Sequence, residues 1–155
     1  MARRFWLMKS DPDTFGWESL EKAPRQTTVW DGVRNFQARN MLRDDVRAGD
    51  GVLFYHSQTD KAVMGTATIV RPGFPDPTQF DPKHPGFDAK AEREDPTWYA
   101  VEIRRDRRFA TPVPLEVLRG TPGLEGMLLL KRGMRLSVMP VTPEEWAIVT
   151  RLGGE

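Results

Sequence analysis

The chain has 155 residues and no cysteine, which suits one domain with one core and excludes a disulfide frame, a thiolate metal site and a cysteine nucleophile. Its 13 prolines and 13 glycines argue against a helical bundle, while 8 Phe and 5 Trp supply bulky core side chains to a chain that is 39% hydrophobic. A net charge of +1 excludes a grip on nucleic acid by bulk charge, although cations cluster at Arg3/Arg4/Lys9, Arg34/Arg39/Arg43/Arg47, Arg104/Arg105/Arg107/Arg108 and Lys131/Arg132/Arg135.

From the N-terminus, Phe5-Trp6-Leu7-Met8 reads as a buried first strand, closed by the turn Lys9-Ser10-Asp11-Pro12. Thr14 is expected to cap a short helix carrying Trp17, Leu20 and Ala23. Asp31 is the expected N-cap of a helix running to about Asp44, on which Asn35, Ala38 and Leu42 share one face with Met41 adjoining. That spacing predicts that Asn35 is drawn inward. Ala48-Gly49-Asp50 is a turn, 51–56 a strand and 61–70 its hairpin partner, with the turn near Thr59-Asp60.

Residues 72–96 form a long proline- and aspartate-rich stretch without a period, read as a spacer or a flap over a pocket. Segments 98–105 and 108–112 read as one long strand or a bent pair, 115–119 and 123–130 as short helical turns, and 136–141 as a last strand. Thr142-Pro143-Glu144-Glu145-Trp146 opens a helix with its cap, a proline at the first helical position and acids in the first turn. Strands broken by short helices predict an α+β domain over residues 1–155: a small mixed β-barrel with short helices packed at its ends. No apolar run approaches the roughly 20 residues of a membrane helix. The expectation is a soluble, monomeric, cytoplasmic protein that makes no membrane contact. Arg-, Pro- and Gly-rich usage fits a bacterial source, where association with the nucleoid is open to it.

Chemistry concentrates in a few places. Trp30, Asp31, Asn35 and Arg39 crowd one predicted helix start, where backbone N–H groups favour anions and acceptors. An unsatisfied buried amide or guanidinium costs about 1–3 kcal/mol, so Asn35 and Arg39 need partners, either structural or from a ligand. In Phe54-Tyr55-His56-Ser57, alternation sends Tyr55 and Ser57 to one face and Phe54 and His56 to the other. A hydrogen-bonded structural role for His56 is as well founded as a functional one. Lys9 and Ser10 could stand at a pocket mouth as donors, and Ser137 sets a hydroxyl in an apolar strand. No nucleophile elbow, phosphate-binding glycine loop, metalloprotease helix or metal set is present in the sequence.

Five stretches in order, FWLMKSDP (5–12), WDGVRNFQARN (30–40), GDGVLFYHS (49–57), DPTQFDP (76–82) with DPTW (95–98), and RLSVMPVTPEEW (135–146), resemble the EVE domain family, a branch of the PUA-like superfamily. Two departures are Asp11, where the family more usually has Glu, and Phe36, where Tyr is common. The resemblance implies a PUA-like β-barrel related to YTH domains, and a non-catalytic reader of modified nucleobases, chiefly modified cytosines in DNA, with no metal or cofactor.

On that reading a flipped base is held by stacking on Trp30 and Trp98, with Tyr55 or Phe36 as further walls. Asn35, Ser10, His56, Ser57 and Ser137 supply polar edge contacts, and Lys9, Arg34 and Arg39 hold phosphates or the pocket mouth. Two alternatives stay open. The related ASCH branch implies a hydrolase of modified cytidine that uses Lys9, which would need a desolvated lysine and a carboxylate within reach. The other alternative is a reader of a modified base in RNA.

Overall fold

The structure, a computed structural model, describes residues 3–58 and 61–154. Six strands form one mixed sheet: β1 (Phe5–Ser10), β2 (Thr27–Trp30), β3 (Gly51–His56), β4 (Ala62–Pro75), β5 (Tyr99–Pro114) and β6 (Val138–Val141). Their order is β2-β5-β4-β3-β1-β6, with β1 and β3 parallel and every other pairing antiparallel. The helices are α1 (Trp17–Lys22), α2 (Phe36–Asn40), α3 (Leu115–Arg119) and α4 (Pro143–Leu152).

The α+β class and the mixed sheet match the expectation, but the sheet is open. β2 and β6 are its two edges and, among the described residues, do not pair with each other. The curl is nevertheless strong, because Lys9 and Ser10 at the end of β1 line the same cleft as Thr28, Val29 and Trp30 of β2. Those strands are four places apart in the sheet. The curled interior holds the core, including Trp6, Leu7, Met8, Trp17, Phe54, Val101 and Ile103, all buried.

β1 and β3 follow from near-continuous apolar runs, since both are buried on two faces. The carboxylate of Asp50 ties their N-terminal ends together, accepting from the Trp6 indole N–H at 2.9 Å and from the Arg47 and Arg4 amides at 2.9 and 3.1 Å. α4 starts with reciprocal bonds between Thr142 and Glu145, 3.1 and 3.0 Å long, as its sequence requires.

Several boundaries differ from expectation. The cap of α1 is Gly16, not Thr14. Strand β2 has no sequence counterpart in the expectations: TTVW is a four-residue edge strand, too short to show alternation. β4 continues past Val70 to Pro75, because register shifts against β5 absorb Pro72 and Gly73. β5 is a single long strand. The last strand begins at Val138, and in 123–130 only Leu128–Leu130 is helical, as one 3₁₀ turn. The expected hairpin turn at Thr59-Asp60 lies outside the described residues.

The largest difference lies in 30–45. Asp31 does not cap a helix. Asn35 is the N-cap of α2, with extended backbone (φ −119°, ψ 129°) and its side-chain oxygen accepting from the Ala38 amide at 3.0 Å. A residue in that position turns its amide back onto the helix end, so Asn35 is exposed rather than drawn inward. After Asn40 the helix widens into a π turn over Met41–Asp45.

Residues 76–98 are not a loose spacer. Asp76 and Gln79 are fully buried, and the Gln79 side chain bonds both ends of the segment. Its amide donates to Asp76 O and Trp98 O at 2.7 and 2.8 Å, while its oxygen accepts from Trp98 N at 2.9 Å. Asp76 also holds the 30–34 turn, accepting from Gly32 N at 2.8 Å and Arg34 Nη1 at 3.0 Å. Gly32 takes a φ of 79°, a left-handed geometry that glycine adopts without strain.

Candidate functional site

The C-terminal ends of β1, β3 and β2 meet at one end of the curled sheet, where three adjoining clefts open beside a larger, mainly apolar one of about 810 Å³ that His56 lines. The first, about 430 Å³, is lined by Lys9, Ser10, Asp11, Thr14, Phe15, Trp30 and Asp31 with the adjoining Thr28 and Val29. The second, about 400 Å³, shares Lys9 and adds Tyr55, Ser57, Gln58, Lys61, Arg119 and the 131–135 loop. The third, about 350 Å³, shares that loop and is closed by Asn35 and Gln37 of the α2 start. Lys9 and the 131–135 loop thus connect the row.

Among the described residues, six cations line the second cleft, Lys9, Lys61, Arg119, Lys131, Arg132 and Arg135, and no carboxylate does. None of the six is in an ion pair with another described residue. Burial, with Lys61 as a second cause, lowers the pKa of Lys9. Its ammonium donates to Met134 O, at 3.4 Å, and has donors to spare. Burial pushes the Tyr55 phenol up, and Arg119 partly opposes it. Tyr55 therefore stays a neutral donor and acceptor against the cations.

The first cleft differs in kind. Phe15 and the edge of Trp30, a core residue only 8% exposed, give it aromatic surface, and Asp11 and Asp31 give it two carboxylates. Trp30 is held edge-on against Phe54, with centroids 5.5 Å apart, and its strand pairs with β5 at Val101. The Asp31 pKa is raised first by burial and then by Asp76, with His84 and Arg34 opposing.

Of the residues singled out in the sequence, Lys9, Ser10, Trp30, Tyr55, Ser57 and Asn35 line this row of clefts. Ser10 donates its hydroxyl to Phe15 O, so its remaining capacity is as an acceptor. Ser137 sits beside the row, its carbonyl accepting from Lys9 N at 2.8 Å, but lines none of the three clefts.

The others are placed elsewhere. His56 points to the opposite side of β3 from Tyr55, and its Nε2 accepts from the Trp17 amide at 2.9 Å, satisfying the start of α1. Trp98 is buried against the 76–98 segment, its indole donating to Asp88 at 2.8 Å and its ring stacked on Phe36 at 4.9 Å. The Arg34 guanidinium is fully engaged with Asp76, Thr78, Val33 O and Gly86 O. Arg39 bonds Thr97 O and Asn40. Both arginines fasten α2 and its preceding turn to the 76–98 segment, which leaves Arg34 no N–H for a phosphate.

Sequence reasoning did not assign Phe15, Lys61 or Arg119 to a pocket, placed Asp31 only in the turn of the helix at the pocket wall, and saw Lys131, Arg132 and Arg135 only as a basic cluster. The signal available was charge: 131–135 carries three cations and no acid. Its position beside Trp30 depends on the curl of the sheet.

Fold and clefts together define an α+β domain with an aromatic cleft and a cationic cleft side by side at one end of an open mixed sheet. The EVE domain model matches residues 4–152, and the chain belongs to that family. It is 38% identical to mouse thymocyte nuclear protein 1 over 96% of the chain and 73% of that protein. Among solved structures, a Pseudomonas putida protein is 43% identical with TM-score 0.90, covering 96% of this chain and 99% of that one. The crystal structure of human thymocyte nuclear protein 1 in complex with 5-methylcytosine-containing DNA is 36% identical with TM-score 0.91, covering 98% of each chain. An ASCH protein from Zymomonas mobilis, 12% identical with TM-score 0.56 over 97% of this chain and 99% of that one, shares the fold alone.

Proposed function

We propose that the protein is a non-catalytic reader of a modified base in DNA, with 5-methylcytosine or a related 5-substituted cytosine flipped into the Trp30 cleft. One observation carries the reading: an aromatic cleft shares Lys9 with a cleft that six cations line. A flipped nucleotide presents that pair of chemistries, a flat base and a phosphate, about one sugar apart. Unstacking costs a few kcal/mol and is offset by stacking worth about 1–3 kcal/mol per base and by phosphate contacts. The human relative of similar fold, whose DNA contains 5-methylcytosine, supports DNA as the partner.

The phosphate contacts belong to Lys9, Lys61 and the 131–135 loop. Arg34 and Arg39 instead build the frame behind the aromatic cleft. A hydrolase using Lys9 is less well supported: its ammonium is desolvated as such a role needs, yet Asp11 and Asp31, which line the same cleft, form no ion pair with it among the described residues.

The test is a fluorescence-anisotropy titration with short duplexes carrying cytosine, 5-methylcytosine or 5-hydroxymethylcytosine at one position. A modified duplex is expected to bind more tightly than the plain one. Trp30→Leu, which keeps an apolar but smaller side chain and removes the π-face, should weaken binding to the modified duplex by about 5- to 150-fold, the equivalent of one base–aromatic stack. Thermal melting of the same variant separates that effect from unfolding. Equal binding to all three duplexes would remove the reading and direct attention to RNA carrying the same bases, and to hydrolysis of acylated cytidine tested with Lys9→Ala.

A further inference from the structure

5-Methylcytosine and thymine carry the same ring and the same 5-methyl group. They differ at C4, where cytosine has an amino donor and thymine a carbonyl acceptor, and at N3, which accepts in cytosine and donates in thymine. A cleft that offered only stacking and room for a methyl group would take both. A thymine mispaired with guanine would even be favoured, because a mismatched base costs less to flip. If the Trp30 cleft reads modified cytosine, something in it must reject the C4 carbonyl.

Asp31 is placed for that task. It follows directly on Trp30 in the chain and lines the same cleft. Its backbone is held from both sides, by the β2–β5 ladder at Trp30 and by the bond from Gly32 N to Asp76. The buried Asp76 thereby fixes the turn that presents Asp31. Among the described residues no other residue donates a hydrogen bond to the Asp31 carboxylate, so its acceptor capacity is open to a ligand. The turn does not need this carboxylate either, since the helix cap is Asn35. Lys9, which lines the same cleft, has spare donors suited to the ring acceptors of cytosine, O2 and N3. An acceptor and a donor in one cleft match the edge of cytosine, while a thymine in the same seat would set its O4 against a carboxylate.

We propose that Asp31 makes this cleft select a 5-substituted cytosine over thymine, its carboxylate accepting the N4 amino hydrogen that thymine lacks. The proposal rests on the base-reading function above.

The test is competition anisotropy with three otherwise identical duplexes, containing a 5-methylcytosine·guanine pair, a cytosine·guanine pair or a thymine·guanine mismatch. The wild type is expected to prefer 5-methylcytosine over the mismatch by roughly 5- to 150-fold, the discrimination one such polar pair provides. Asp31→Asn, whose amide can serve either base, and Asp31→Ser, which removes the charge, should bring that ratio close to 1 with unchanged melting temperature. If the wild type favours 5-methylcytosine over cytosine but the ratio against thymine is already near 1, or survives both substitutions, the reading stands and the role of Asp31 is overturned. If the wild type does not distinguish 5-methylcytosine from cytosine, the reading itself falls and the inference with it.

Discussion

Asp76→Ala is expected to destabilise the protein by about 3–5 kcal/mol, the cost of removing one partner from a buried ion pair. The Asp76 carboxylate is fully buried and accepts from Arg34 Nη1 at 3.0 Å, Gly32 N at 2.8 Å, and Thr78 N and Oγ1 at 2.8 and 2.6 Å. Its removal leaves four donors without their acceptor and unfastens the 30–34 turn from the 76–98 segment. Urea denaturation should show the midpoint falling by about 2 M.

Acid should act through the same group. Burial alone would raise the Asp76 pKa, but the bonds from Thr78, Gly32 and Arg34 outweigh it and hold the pKa below the ordinary carboxylate value. A carboxyl with a lowered folded pKa binds fewer protons folded than unfolded. Its contribution is therefore complete above the ordinary carboxylate value, 3.8, and is lost as pH falls below that value and through the lowered one. Asp76→Asn should be less stable than the wild type near neutrality and should lose less stability on acidification. Parallel acid profiles for the two proteins would contradict this account.

Replacing Lys131, Arg132 and Arg135 together by alanine should have the largest effect on binding. All three line the cationic cleft, are exposed and have no carboxylate partner among the described residues. Removing one phosphate-binding cation lowers the magnitude of the slope of log K against log salt by about 1, so the slope should fall by about 2–3. Affinity at low salt should fall by a factor on the order of 100. Because phosphate contacts carry no sequence information, the decrease should be equal for modified and plain duplexes. Arg34→Gln, by contrast, should leave the slope unchanged and lower stability, since every Arg34 donor is turned into the protein. A triple variant with the wild-type slope would place the DNA backbone elsewhere.

Local signals made part of this molecule legible in its sequence. β1 and β3 are visible as buried apolar runs, and α4 is visible from a capping box, because both signals lie within a few residues. Asp31, the expected helix cap, and Asn35, the actual one, are both capping residue types, and what separates them is remote. Gly32 is pinned by Asp76, 44 positions away, and that bond holds 30–34 as a turn rather than a helix. The partners of Arg34 and Trp98 are equally distant or lie in a segment with no periodicity. An arginine that resembles a ligand contact in sequence thus has every N–H bonded within the protein. The basic 131–135 loop is plain as charge, but only the curl of the open sheet brings it beside Trp30.

The central claim, that a modified base enters the Trp30 cleft, is tested most directly by the indole N–H resonances of the 5 tryptophans in an NMR titration with a 5-methylcytosine duplex. Trp6, Trp98 and Trp146 line none of the three clefts, while Trp17 packs on the same Phe54 ring as Trp30. The Trp30 resonance, with the amides of Lys9 and Ser10, is expected to shift with the modified duplex and much less with the plain one, while Trp98 stays close to its free position. A shift centred on Trp98 and Phe36 with Trp30 unmoved would contradict the account and place the base against the 76–98 segment.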